Sequence, residues 1–567
     1  LSRSELRMNS HVLHAQMKRE LVYIRGELIL DPFSSLHISM RLPLPILLLF
    51  TCSHSYNILV YIPKFAISHI NFMGKLADTL VDAGHNVTAL ISEMDSKLPD
   101  GTNKSQIIRI SPGEGADHMN THFMVEDSDT DMFELDFDTY SGVVENAYHN
   151  SVSFCIQCRK LLTTPGLIER LKNEKYDALI TEAFENCGVG LSHLISPRAL
   201  IPVSSTLLFD PSPFGIHYSV FTEHSVMVDG RFHSTLSSRL KTIYHKFLFQ
   251  LFINTQNGPL QRVFDELYPG TPSFSDILSH SSVVFTNTEP LIDFARPTLS
   301  NIIPIGGITV SPSNPLHQYW NELLSLRPHS VLISFGSIAK SIMMKPARKH
   351  ALLEAFASFP DTTFIWKYEN KSDEFAKVFA SAVPNVILTE WMPQKDLLAD
   401  PRLTLFISHA GMASCHEIAH SGVPSLLIPI FGDQIHNAGA LAHVGIAQVF
   451  SKFDMIDSDK LIDVIGEMIG NEKYRRTAMR VRVQLESRPY SPIQRFVKNV
   501  EFSARFGPSK AHRPLNLHLN PIQLYGLDLI ILLFTFSSVA ILSLVAFFKL
   551  TRLLLSIVGI RKVQKLE

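Results

Sequence analysis

Cysteine and tryptophan are scarce in this chain, five and three among 567 residues, and neither sign of charge predominates, with 51 lysines and arginines against 53 aspartates and glutamates. A formal net charge of −2 excludes the basic excess through which nucleic-acid binders gain much of their affinity. Any phosphate-bearing partner must be held by local groups instead. With Cys52 inside an apparent leader, only Cys155, Cys158, Cys187 and Cys415 remain, and no disulfide framework is implied. Cys155-x-x-Cys158 has no second pair at zinc-ligand spacing and reads as one face of a helix. A glycine-rich dinucleotide turn is also missing. Gly188-Val-Gly190 comes several residues after the apolar run YDALITE and lacks the third glycine, which argues against a nicotinamide enzyme.

Long apolar runs lie at the two ends. Leu529 to Phe548 carries no charge over twenty residues, about 30 Å of helix at about 1.5 Å per residue, enough to cross a bilayer core. Lys549, Arg552, Arg561, Lys562 and Lys565 follow, and that positive excess marks 549–567 as a cytoplasmic tail. The bulk of the chain then lies across the membrane, as a single-pass type I protein facing the lumen of the endoplasmic reticulum. An export signal is required, and Met40-Arg41, LPLPILLLF and the small residues up to Ser55 supply one over 40–55. Residues 1–39 read as an upstream extension outside the mature protein. Asn86, Asn103 and Asn370 each begin an Asn-x-Ser/Thr triplet, with Asn86 set against an expected strand. Residues 506–528, with Pro508, Pro514 and Pro521, read as a stalk.

Between the ends, short apolar runs alternate with amphipathic segments of helical length, the pattern of parallel α/β sheets. NILVYIP, NVTALIS, YDALIT and ALIPVSS read as strands of one half, and SVLISFGS, TTFIWKY, NVILTEW, LTLFIS and SLLIPI as strands of another. Glycine, proline and serine cluster at 304–315. Two Rossmann-like domains are therefore expected, over 56–305 and 306–505.

In such sheets ligands bind at the carboxyl ends of strands. His409 follows LTLFIS in HAGMASCHE, where the next helix offers free N–H groups to an anion. The small Ala410, Gly411 and Ala413 allow close approach to the backbone, and Glu417 suits a pair of neighbouring hydroxyls. Trp391-Met-Pro-Gln394 sets an aromatic platform and an amide at another strand end, fit for a base. Asp433 and Gln434, in PIFGDQ, supply an acid and an amide at a third. Together these spell a nucleotide-sugar site.

The run from Trp391 to Asn437 closely resembles the signature of the UDP-glycosyltransferases of the UDP-glucuronosyltransferase type, and the resemblance extends from Asn57 through the membrane tail. It implies a GT-B fold, α/β, with two Rossmann-like domains facing across a cleft and the UDP-sugar held by the second. By position it implies that Trp391 and Gln394 meet uracil, Glu417 the ribose, His409 the diphosphate, and Asp433 with Gln434 the sugar. Ser337, Gly411 and Ser414 join the same donor site. His69, at a strand-to-helix corner, corresponds to the catalytic base and Glu182, ending YDALITE, to its acidic partner. Taken alone, His69 would read as a helix cap. The family usually has His-Gly-Gly and an Asn where this chain has His409-Ala410-Gly411 and Ala413.

The expected activity is inverting, metal-independent transfer of glucuronate or glucose from the UDP-sugar, a co-substrate, to a small lipophilic acceptor. No cofactor or nucleic acid is expected, and a homo-oligomer is left open. The acidic run EDSDTDMFELDFD, 126–138, contains the Asp-x-Asp spacing of metal-dependent transferases but reads as a solvated loop. The alternative is a non-catalytic lumenal protein that binds a nucleotide sugar.

Overall fold

The computed structural model of the chain describes residues 55–118, 132–136, 139–208, 210–216 and 235–563. The upstream extension, all of the leader but Ser55, most of the acidic run and residues 564–567 lie outside them. The first strand, β1 (Asn57–Lys64), is apolar without alternation and buried from its second residue on. That is how a strand covered on both faces must read.

Six more strands join it: β2 (Asn86–Glu93), β3 (Gln106–Ile110), β4 (Ala178–Glu182), β5 (Ala199–Ser204), β6 (Val284–Thr286) and β7 (Ile302–Pro304). Their order is β3-β2-β1-β4-β5-β6-β7, and every pair is parallel. A second parallel sheet holds β8 (His329–Ser334), β9 (Thr362–Lys367), β10 (Val386–Thr389), β11 (Leu403–Ser408), β12 (Ser425–Leu427) and β13 (Ala447–Val449), in the order β10-β9-β8-β11-β12-β13. In both sheets the first strand lies between its successor and a later strand. Chain order therefore reverses at β1/β4 and again at β8/β11, and the connections diverge there to leave a crevice at the carboxyl ends.

The helices that matter for the site are α1 (Ile67–Asp82), α2 (Tyr140–Leu162), α3 (Cys187–Ile195), α4 (Leu236–Leu267), α5 (Met412–Ser421), α6 (Gln434–Val444), α7 (Pro492–Phe506) and α8 (Leu527–Val563). On α1 the buried Ile70, Met73, Leu76, Ala77 and Leu80 recur at helical spacing and face the sheet. Gly188 and Gly190, the glycines weighed for a dinucleotide turn, instead open α3. A Cβ on Gly188 would lie 2.1 Å from Thr181 Oγ1, and one on Gly190 would lie 2.2 Å from the Phe264 ring. They permit close packing of helix on strand and helix.

Three long-range connections depart from the sequence-based expectations. Cys158 of α2 is disulfide-bonded to Cys187 at the start of α3, with their Cα atoms 5.7 Å apart. Cys155 and Cys158 do share a helix, but the packing of α2 beside α3 pairs one of them with a cysteine 29 positions away. The described part of the acidic run, 132–136, is a docked element rather than a solvated loop. Phe133 is fully buried with its ring edge-on to Phe335 at 5.7 Å. Lys452 Nζ donates to the carbonyls of Met132 (3.0 Å), Leu135 (2.5 Å) and Ile430 (2.7 Å), and Glu134 pairs with Lys345 and Arg348. Lastly, α7 follows the second sheet in sequence yet packs on the first, where Phe496 meets Phe285 at 5.0 Å and Arg495 donates to the Pro304 carbonyl.

Within α8, Leu527–Val558 is long and apolar enough to cross a membrane, and none of its residues is buried by the rest of the chain. The helix runs unbroken past Lys549 and Arg552 to Val563. Asn86 and Asn103 are exposed and Asn370 is half-buried.

Candidate active site

His69 is the third residue of α1, directly after β1. Because β4 neighbours β1, the last residue of β4, Glu182, comes up beside it although 113 positions separate them. Glu182 Oε2 lies 3.2 Å from His69 Nδ1, and the carboxylate is fully buried. Ser205, just past the end of β5, places its Oγ 2.8 Å from the same nitrogen and donates its backbone N–H to Glu182 Oε1 (3.3 Å). A carboxylate can only accept, so Nδ1 carries the proton and Nε2 is left with its lone pair. Phe65 and Phe184 flank the imidazole, with centroids 4.6 and 5.6 Å away, and its side chain is 15% exposed. Deeper, Glu185 is buried, and burial pushes its carboxyl up to about 8.

At the second switch point, the loop after β8 carries Gly336 and Ser337, and the loop after β11 carries His409, Ala410 and Gly411. The His409 ring lies between the two glycines. A Cβ on Gly336, whose φ is +87°, or on Gly411 would come within 2.6 Å of His409 Nε2. Burial, and then the nearby Lys367 ammonium, hold the His409 pKa down at about 4. The imidazole is therefore neutral at physiological pH and can donate a single N–H. Ala410, fully buried, stands at φ +62°, a left-handed conformation that costs a non-glycine residue about 1 kcal/mol or more. Its carbonyl accepts from Asn437 Nδ2 (3.1 Å). Gly411 then caps α5, whose first turn has no acid to occupy its N-terminus.

Gln394 Nε2 donates to Glu417 Oε2 (2.6 Å) and Ser414 Oγ (3.3 Å), which gathers three predicted residues into one cluster. Burial raises the Glu417 pKa, and the Gln394 contact opposes the rise. Trp391 is 73% exposed and presents its ring to Lys367 Nζ, 5.7 Å from the centroid. Lys367 also donates to the Gly336 carbonyl (2.5 Å). Asp433 Oδ2 accepts from Asn437 Nδ2 (2.8 Å). Its pKa is raised by burial, and the Asn437 bond is the main influence opposing the rise, with His69 and His436 close enough to add to it. Asp433 of the second switch point therefore lies near His69 of the first. Gln434 is nearly fully buried, and its Oε1 accepts the N–H groups of Ile430 (2.8 Å) and Phe431 (3.1 Å). Only its amide nitrogen remains available to a ligand.

The structure adds Ser205, Lys367 and Asn437 to the candidate site, and sequence reasoning did not single them out. Lys367 was within reach of it, as the cation ending TTFIWK at the same strand-end level as Trp391. Ser205 and Asn437 carry no local signal.

Two parallel α/β sheets with their switch points facing each other are the GT-B glycosyltransferase architecture. The solved structures of glycosyltransferase VinC in complex with DTDP (15% identity) and of the calicheamicin glycosyltransferase CalG4 (14%) share this fold. Each has a TM-score of 0.53 and is matched over its full length by about four-fifths of this chain (79% and 80%). The family model for UDP-glucoronosyl and UDP-glucosyl transferases matches residues 57–562, and the chain belongs to that family. Among its relatives, ugt-48 of Caenorhabditis elegans is 27% identical over 84% of this chain and 91% of its own length. UDP-glucuronosyltransferase 3A1 of Xenopus laevis is 26% identical over 81% and 87%, and UDP-glucuronosyltransferase 1A3 of Rattus norvegicus is 28% identical over 70% and 74%. Family and fold together support transfer of a sugar from a UDP-sugar.

Proposed function

We propose that the chain transfers glucuronate or glucose from its UDP-sugar to a hydroxyl of a small lipophilic acceptor, with inversion and with His69 as the base. The observation that carries this reading is the hydrogen-bonded His69–Glu182 pair, with Asp433 of the other sheet within electrostatic reach. The acceptor oxygen forms a bond to the anomeric carbon as the bond from that carbon to the β-phosphate oxygen breaks. The acceptor proton passes to His69 Nε2, and the electron pair leaves with UDP. Glu182 and Ser205 hold the ring by Nδ1, and the carboxylate stabilises the imidazolium that forms.

The leaving diphosphate is received by Ser337, the N-terminus of α5, Gly411 and the neutral His409, with Lys367 adding positive charge nearby. Trp391 stacks on uracil, the Gln394–Ser414–Glu417 cluster receives uracil and ribose, and Asp433 with the Gln434 nitrogen orients the sugar. The Cys158–Cys187 bond supports an oxidising lumen. The apolar part of α8, followed by Lys549 and Arg552, supports a type I anchor in the endoplasmic reticulum.

The test uses the membrane-embedded chain with radiolabelled UDP-sugars. His69→Ala should abolish transfer while leaving UDP affinity within a few-fold of the parent. Glu182→Gln should lose about a hundredfold, more for alcohols than for acidic phenols. Parental rates with alcohols in both variants would remove the pair from the chemistry. UDP-sugar binding by the parent without any transfer would make the chain a nucleotide-sugar-binding membrane protein.

A further inference from the structure

Beside the His69 cluster, the carboxyl edge of the first sheet and one face of α4 border a partly open cavity of about 380 Å³. Phe184, Leu208, Phe214, Phe274 and Leu278 make part of its wall apolar. Asn186 and Asn257 also line it, and the amide oxygen of each is buried without a hydrogen-bond partner. Asn186 is itself 5% exposed. Those oxygens expose almost no surface, so a guest in the cavity meets the other atom of each amide, or the oxygen once the amide is turned.

The neighbouring amides are already engaged. Gln250 Nε2 donates to Asn254 Oδ1 (3.1 Å), and Gln261 Oε1 accepts from the Phe274 N–H (3.1 Å). Turning an amide about its last bond exchanges an acceptor for a donor, and a hydroxyl suits either arrangement because it does both. Asp210, its carboxylate held by Ser212 (2.6 Å), is the one charged side chain among the described lining residues, and no lysine or arginine is among them. The cavity therefore favours a neutral guest over an anion.

Phe184 connects this cavity to the chemistry. Its ring stands 5.6 Å from the His69 centroid, it lines the cavity, and Gln256 fixes its carbonyl (2.9 Å). A molecule with one hydroxyl at His69 can run past this ring into the cavity.

We propose that the acceptor is a neutral molecule bearing a second hydroxyl remote from the glycosylated one, and that Asn186 and Asn257 read that second hydroxyl. The proposal rests on the glycosyltransferase reading, and it makes the acceptor more polar than a plain lipophile. It is tested on the detergent-solubilised full chain with two acceptor pairs of different reach: para-phenylphenol against para,para′-biphenol, and para-propylphenol against its terminal-hydroxyl counterpart. For each pair the ratio of kcat/KM is measured, along with the ratio of affinities by equilibrium dialysis with UDP present.

The parent should favour the dihydroxy member of at least one pair by about tenfold or more, as a site built around a hydroxyl does. In Asn257→Leu and in Asn186→Leu that ratio should collapse towards the roughly twofold statistical advantage of two equivalent hydroxyls, or to about one where they differ. UDP affinity reports that each variant is folded, and if one fails to fold the other decides. Absence of discrimination by the parent in both pairs, or an unchanged ratio in a folded variant, overturns the proposal. If nothing is glycosylated, the glycosyltransferase reading fails, while the dialysis ratios still decide whether the cavity selects a hydroxyl.

Discussion

Replacing Glu185 by glutamine probes the buried acid near the His69–Glu182 pair. The carboxyl is fully buried, its Oε1 takes the N–H of Cys187 (2.7 Å), and the Tyr61 hydroxyl lies close to it. Burial first, and also the charge of Glu182, push its pKa to about 8 from the ordinary 4.5. Between those values the folded protein holds a proton that the unfolded chain has released. Stability must then fall as pH rises, since the unfolded state binds fewer protons. The contribution is complete below about pH 4.5 and is lost as pH passes through about 8.

From about pH 5 to about pH 8, at about 1.4 kcal/mol per pH unit, the loss amounts to about 4 kcal/mol. Glutamine keeps the size and an oxygen for the Cys187 N–H but does not titrate. The melting temperature of Glu185→Gln relative to the parent should therefore climb with pH. Allowing on the order of 1–2 °C per kcal/mol for a chain of this size, the climb is about 4–8 °C. Scanning fluorimetry of both solubilised proteins across that range measures it directly. Parallel curves would show that Glu185 is ionised in the folded state and that the burial argument is wrong.

Asp433→Ala should lower kcat/KM for transfer at least tenfold, about 1.4 kcal/mol or more, while the affinity for UDP, which lacks the sugar, stays near the parental value. Equal losses in both measurements would place Asp433 outside the sugar contacts. Lys367→Met removes the ammonium that bonds the Gly336 carbonyl and faces Trp391. UDP affinity should drop about tenfold, and the drop should shrink with added salt. Cys158→Ser opens a loop of 29 positions and should cost about 3–4 kcal/mol, seen as a lower melting temperature that reductant does not lower further.

The positions of the candidate site are legible where short-range signals change, and their roles come from the family resemblance. His69, Glu182, Ser337, His409 and Asp433 each follow an apolar strand run and stand at or just before a turn or helix. The period-two to period-3.6 switch and the small residues around it are read within a few positions. The bilayer-length run of α8 is equally local, a matter of counting residues without charge. The two parallel sheets followed from the alternation of strand-like and helical segments, and the GT-B assignment came from the Trp391–Asn437 signature.

Other features depend on which distant segments share a neighbourhood, and sequence alone carries no term for that. Strand order is the clearest case. β1 pairs with β4 rather than with β2 alone, which brings Glu182 and Ser205 to His69. The same reversal at β8 and β11 sets His409 between Gly336 and Gly411. The Cys158–Cys187 bond, the seat of Phe133 against Phe335 and the return of α7 to the first sheet were likewise settled by burial of apolar surface across long separations. Gln434 shows the limit at a single side chain. It stands at the strand end where it was expected, but the turn after β12 claims its oxygen for two backbone N–H groups, because buried donors must be satisfied before a ligand is.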